Sequence, residues 1–183
     1  MIMKKKIVTC VLALCLSASL AAGCGNGNET TKETTPAAPG QETTKAPSAS
    51  GSDFHFELKG ASVAPGMSQE DLLAALGDAD KTFEAPSCAG QGTDYTYTYG
   101  SVEITTVPGA SGANEVSAIV LKDDLVSTPE GVSLYMSTEE MTKAYGDGYT
   151  VSGSAYTYVR GKVQLQFVIE KDEITSIQYM IVE

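Results

Sequence analysis

The chain has no tryptophan, one histidine and four cysteines among its 183 residues. These scarcities remove whole classes of chemistry. His55 and one free thiol are too few soft ligands for a structural zinc site. Cys10 and Cys15 lie in a leading apolar stretch and Cys24 ends it, so Cys88 stands alone in the remainder and an intramolecular disulfide there is excluded. No serine sits in a Gly-x-Ser-x-Gly setting, and no phosphate-binding glycine loop is present. Basic residues are also scarce. Twelve Lys and Arg stand against twenty-three Asp and Glu, a formal net charge of -11. That balance argues against nucleic acid as a partner and against a domain lying flat on an anionic membrane.

What is present begins with an address. Lys4, Lys5 and Lys6 form a positive start, and Ile7 to Leu20 is apolar but too short for a stable membrane span. Residues 1–23 are therefore expected to be a signal peptide. Leu20-Ala21-Ala22-Gly23-Cys24 resembles the lipobox of bacterial lipoproteins. The resemblance implies a diacylglyceryl group on the Cys24 sulfur and cleavage that leaves Cys24 as the new N-terminus. It implies a protein lipid-anchored to the cell membrane and facing outside the cytoplasm, since two acyl chains anchor stably where one does not. Without the three leading lysines, nine basic residues remain against twenty-three acidic ones, a net charge of −14. Residues 25–52 contain no large apolar side chain and are rich in Thr, Glu, Pro, Ala, Gly and Ser. Residues 24–52 are expected to be a disordered tether, holding a domain on the order of 30 Å from the lipid.

From Asp53 onward the chain repeats itself. Val63, Met67, Ser68, Glu70, Ala75, Gly77 and Asp78 match Val132, Met136, Ser137, Glu139, Ala144, Gly146 and Asp147 at a shift of 69. The shift falls to 61 at Tyr95-Thr96-Tyr97 and to 58 at Glu115, so the first copy carries extra residues. Ser68 and Ser137 are helix N-caps, with Asp71 and Glu140 three residues on. Met67 with Leu72, and Met136 with Met141, form hydrophobic staples, and Gly77 and Gly146 are expected left-handed C-caps. Alternating strands follow at 95–99, 102–105 and 116–121, and again at 156–159, 163–167 and 174–181, with a lead-in strand at 54–59. The expected fold class is α+β: two tandem units, 53–124 and 125–183, each a short helical segment packed on an antiparallel sheet of three to four strands.

Taking Tyr99-Gly100 and Arg160-Gly161 as two-residue turns puts Tyr156, Tyr158, Val163 and Leu165 on the face that receives the helix. The opposite face then presents Thr157, Val159, Gln164 and Gln166, and in the first copy Thr96, Thr98, Glu103 and Thr105. That polar face is the candidate binding surface. The tyrosines themselves read as core and core edge. Cys88 lies in the first copy's larger insertion, where it is expected to be packed rather than reactive, and a Cys88–His55 nucleophile pair is the remote alternative. Asp78 with Asp80, Asp123 with Asp124, and Asp172 with Glu173 lack calcium-loop spacing and read as solvated turns. No metal or cofactor is expected.

The repeated Val-x-x-Gly-Met-Ser-x-x-x-Leu-x-x-x-Leu-Gly pattern of Val63 to Gly77, followed by Tyr-rich strands, resembles the small α/β unit of the SmpA/BamE outer-membrane lipoproteins. It also resembles that of the tandem β-lactamase-inhibitory proteins. The second copy has Tyr135 where the pattern has glycine. The likeness implies a doubled helical layer on antiparallel sheet, which in the inhibitors forms a concave protein-binding surface. The inhibitors' paired cysteines are missing here, because Cys88 has no mate, and no inhibitor contact residue carries over. The expected function is a lipid-anchored, non-enzymatic binding module that recognises a protein or peptide through its sheet face. The alternative is an envelope-assembly or structural lipoprotein of the SmpA/BamE type; an enzyme using the Cys88 thiol is more remote.

Overall fold

The computed structural model describes residues 52–88 and 91–182. The expected signal, the lipid site at Cys24 and the tether up to residue 51 lie outside them. Two short helices form where caps predict them, α1 at Gln69–Leu76 and α2 at Thr138–Tyr145. Ser68 Oγ accepts the Asp71 backbone N–H at 3.1 Å, and Ser137 Oγ accepts that of Glu140 at 3.3 Å. In α2 the Glu140 carboxylate also accepts the Ser137 N–H at 2.9 Å, closing a full capping box. Gly77 and Gly146 end the helices with positive φ but extended ψ (70°, −159° and 78°, −173°), not as left-handed caps. That region is open to glycine almost alone. Helices of two turns do not hold in isolation. They stand by burying Leu72, Leu76 and Met141 against sheet.

The strands are β1 (Phe56–Leu58), β2 (Ala61–Val63), β3 (Lys81–Pro86), β4 (Thr93–Tyr99), β5 (Val102–Pro108), β6 (Asn114–Leu121), β7 (Thr150–Ser152), β8 (Ala155–Arg160), β9 (Val163–Glu170) and β10 (Glu173–Ile181). β1 and β2 pair as a small hairpin. The other eight form one antiparallel sheet in the order β3-β4-β5-β6-β10-β9-β8-β7.

This overturns the expected α+β pair of units, each with its own sheet. The protein is mostly β, and both copies contribute four strands to a single sheet. The join is β6 against β10, the last strand of each copy, with Ala118 opposite Met180, Ile119 opposite Tyr179, Val120 opposite Gln178 and Leu121 opposite Ile177. A strand left at an edge exposes unpaired N–H and C=O groups. Pairing the two terminal strands satisfies both edges at once, and it merges two marginal cores into one.

The start of the chain reinforces the merger. Phe54 lies 6.1 Å from the Tyr145 ring with the Arg160 guanidinium 4.1 Å above it, and Phe56 is 5.9 Å from Tyr179. Residues that open the first copy therefore pack into the second. Tyr145 donates to Glu130 at 2.6 Å, and Arg160 approaches the same carboxylate at 3.8 Å.

Corresponding hydrogen bonds hold the two halves. Gly66 N–H donates to Val116 C=O at 2.7 Å and Val116 N–H to Met67 C=O at 2.8 Å. In the second half Tyr135 N–H donates to Ile174 C=O and Ile174 N–H to Met136 C=O, both at 2.9 Å. Tyr135 occupies the glycine position with φ 68°, against 89° at Gly66.

Candidate functional site: the open sheet face

The face of the sheet is decided by hairpin register. Tyr99 pairs with Val102 and Arg160 with Val163, so the turns are Gly100-Ser101 and Gly161-Lys162. Each lies one residue beyond the expected turn. Cross-strand partners therefore move by two residues, which preserves the parity of the pleat. Tyr97, Tyr99, Tyr158, Val163, Leu165 and Phe167 are buried on the helix side.

Thr96, Thr98, Glu103, Thr105, Thr157, Val159, Gln164 and Gln166 all lie on the opposite face, and none is buried. Thr98 faces Glu103 and Thr96 faces Thr105 across β4 and β5. Thr157 faces Gln166 and Val159 faces Gln164 across β8 and β9. Because the sheet is continuous, these two groups share one surface, with β6 and β10 between them. The residues at that seam, Ala118, Val120, Gln178 and Met180, were not among the sequence candidates. They become visible only through the β6–β10 pairing, which no local pattern encodes.

Register gives the face two long rows. One runs Lys81, Thr98, Glu103, Val120, Gln178, Gln166, Thr157. Gln178 Nε2 donates to Gln166 Oε1 at 2.7 Å, and Gln166 Nε2 to Thr157 Oγ1 at 3.3 Å, so part of this row is fixed by its own side chains. The other row runs Phe83, Thr96, Thr105, Ala118, Met180, Gln164, Val159. Beside its centre is an open cleft of about 660 Å³ lined by Ser117, Ala118, Gln164, Met180, Ile181 and Val182. Phe83 and Val159 are 67% and 51% exposed, so large apolar surface reaches both ends. Lys122 pairs with Glu103 at 2.8 Å on the first half.

The remaining candidates do not converge. Cys88 is exposed at the end of β3, which corrects the expectation of a packed thiol. The insertion that carries it builds β3, an edge strand of six residues where the second copy has only the three of β7. His55 precedes β1 of the small hairpin and lies 3.9 Å from Glu57, whereas Cys88 follows β3 of the eight-stranded sheet. Asp80 accepts the Gly100 N–H at 2.6 Å, and Asp123 accepts the Leu125 N–H at 2.9 Å and the Ser101 hydroxyl at 2.6 Å, which are turn-forming roles. Among the described residues no group of three or more His, Cys, Asp or Glu side chains is placed to hold a metal ion. No helix among them is long and apolar enough to cross a membrane.

Among the described residues, fold and site form a β-rich scaffold that covers one side of its sheet with short helices and leaves the other open. No family model matches the chain, and no curated protein does. Among solved structures, a DUF4309 family protein (YjgB) from Bacillus subtilis subsp. subtilis str. 168 is similar at 17% sequence identity and a TM-score of 0.40. The match covers 66% of this chain and 82% of that one. A likeness that distant assigns neither fold nor function.

Proposed function

We propose that this protein is a lipid-anchored, non-enzymatic binding module that recognises a protein or peptide partner through the open face of its sheet. One observation carries the reading. Across β4, β5, β6, β10, β9 and β8, no residue of the cross-strand rows on the open face is buried, while the helix face is almost wholly so. A two-sided sheet that shields one face and exposes apolar side chains on the other provides a large, pre-formed contact surface. The resemblance of residues 20–24 to a lipobox supplies the anchor, and a tether would let the domain reach a partner above the membrane.

The test uses the intact chain on cells. A photo-crosslinking residue at Val120, in the centre of the open face, should trap a specific partner. The same residue at Leu125, 82% exposed outside the sheet, should not. Equal crosslinking from both positions would remove the open face from consideration. Replacing Cys24 with alanine should release the protein from the membrane fraction, and retention would remove the anchor.

A further inference from the structure

Resting on that reading, we infer that contact is made by the β10, β9 and β8 half of the open face, and that its occupant is an uncharged segment of a partner protein that places an apolar side chain in the seam cleft. Charge is what divides the face. The chain carries thirty-five formally charged Lys, Arg, Asp and Glu residues. Within the two rows the first half carries Lys81 and Glu103 among its threonines. One place further out, Lys122 beside Ser101 on the first half is matched by Lys162 beside Val182 on the second. On the second half the two rows contain only Gln178, Gln166 and Thr157, and Met180, Gln164 and Val159. Among the described residues of β9 and β10, the acidic side chains lie at the turn between them, where Glu170 faces Glu173.

Exclusion of charge from one patch of an acidic protein is the composition of an interface core, where a charge would have to be desolvated. An uncharged occupant meets that surface without stranding a charge of its own. The hydrogen bonds from Gln178 to Gln166 and from Gln166 to Thr157 hold the amides in place, which lowers the ordering cost of binding. Met180 and Ala118 set an apolar wall in the adjoining cleft, and Val159 offers a second apolar contact two strands away. No aromatic ring lies on the β10, β9 and β8 part of these rows, so a sugar chain finds nothing to stack on there.

A phage-displayed library of random twelve-residue peptides, selected on the immobilised full-length chain, tests this. The expected winners lack Lys, Arg, Asp and Glu and share one aliphatic residue, and their binding is insensitive to salt. Gln166→Lys and Met180→Lys should each weaken binding by about tenfold or more. Lys143→Gln, on α2 and outside the open face, should leave it unchanged. Val159→Lys, at an exposed site, covers the case in which a Gln166 or Met180 variant loses its fold, which unchanged circular dichroism would exclude. Basic, salt-sensitive peptides lost on Glu103→Gln would move the contact to the first half and overturn this inference, while leaving the open-face reading intact. Peptides indifferent to substitutions on both halves would overturn both. Failure to enrich any peptide, or self-association abolished by Gln166→Lys, would overturn the peptide occupant.

Discussion

One tyrosine ties each helix to the sheet at a single atom. Tyr99 donates to Gly77 C=O at 2.9 Å and Tyr158 to Gly146 C=O at 2.7 Å, so each hydroxyl satisfies a carbonyl that the helix end leaves free. Burial pushes the Tyr158 hydroxyl well above its ordinary value of 10.0, with Tyr149 and Asp147 adding to the shift. A folded value above the unfolded one favours the neutral phenol. Its stabilisation is therefore complete below about pH 10 and is lost as pH rises toward the folded value. Tyr158→Phe should cost about 1 kcal/mol at neutral pH and flatten the loss of stability above pH 10, as read by urea unfolding across that range. A second residue-scale prediction concerns Tyr135. Its backbone is held at φ 68° by the same bond pattern that Gly66 satisfies without a side chain. Tyr135→Gly should raise stability by about 1 kcal/mol through relief of that strain, whereas Gly66→Tyr should lower it by a similar amount. Equal and opposite changes in the thermal midpoint would show the strain; a loss in both would place a packing role on the 61%-exposed Tyr135 ring.

The helices differ in how they begin, and the difference is titratable. Glu140 is held below its ordinary 4.5 by the hydrogen bond from the Ser137 backbone and then by that from the Ser137 side chain. A depressed carboxylate stabilises the fold above its unfolded value, and that contribution disappears as pH falls through the folded one. Glu140→Gln should therefore lower the thermal midpoint near pH 7 and leave it almost unchanged in strong acid. A deficit that persists at low pH would show that the box acts through shape instead of charge. These caps were legible because capping is local: serine, an acidic residue three places on and a flanking apolar pair lie within one short stretch. The long strands were legible for the same reason, since burial on one face writes alternation into Val163 to Phe167. Of the strands that were missed, β2 alternates but has only three residues, and β3 and β7 have no such signature. In β3, Lys81 to Glu84 are exposed on both faces and only Ala85 is half-buried, and all three residues of β7 are exposed, so neither sequence alternates. Of the candidate surface, the eight residues on β4, β5, β8 and β9 could be placed on one side by pleat parity. Their union into one surface could not, because it depends on β6 meeting β10 across more than fifty intervening residues.

That meeting decides what kind of molecule this is. In sequence Glu115, Val116 and Ile119 match Glu173, Ile174 and Ile177, and the two strands run antiparallel with Val120 opposite Gln178. By strand register, however, Ile119 and Tyr179 are equivalent and face each other across the seam. The halves are thus related by an approximate two-fold axis between that pair, the arrangement of an isologous dimer joined into one chain. Either half alone would present a bare terminal strand and lose half of its partners at the seam. The first half would also lose the Tyr145 and Tyr179 rings that receive Phe54 and Phe56. Expressed separately, segments 53–124 and 125–183 should each be unfolded or self-associated. Mixed, they should recover a one-to-one complex with the circular dichroism and cooperative melt of the intact domain, read by sedimentation and thermal unfolding. The sharper form of the prediction uses Ile119→Lys, which buries a charge at the seam and should abolish recovery. Two halves that fold independently, with melts that sum to that of the whole, would make the continuous sheet an incidental contact. Recovery that depends on Ile119 would make the shared sheet the unit that folds. The open face would then exist only in the joined molecule, because both of its rows run unbroken across β6 and β10.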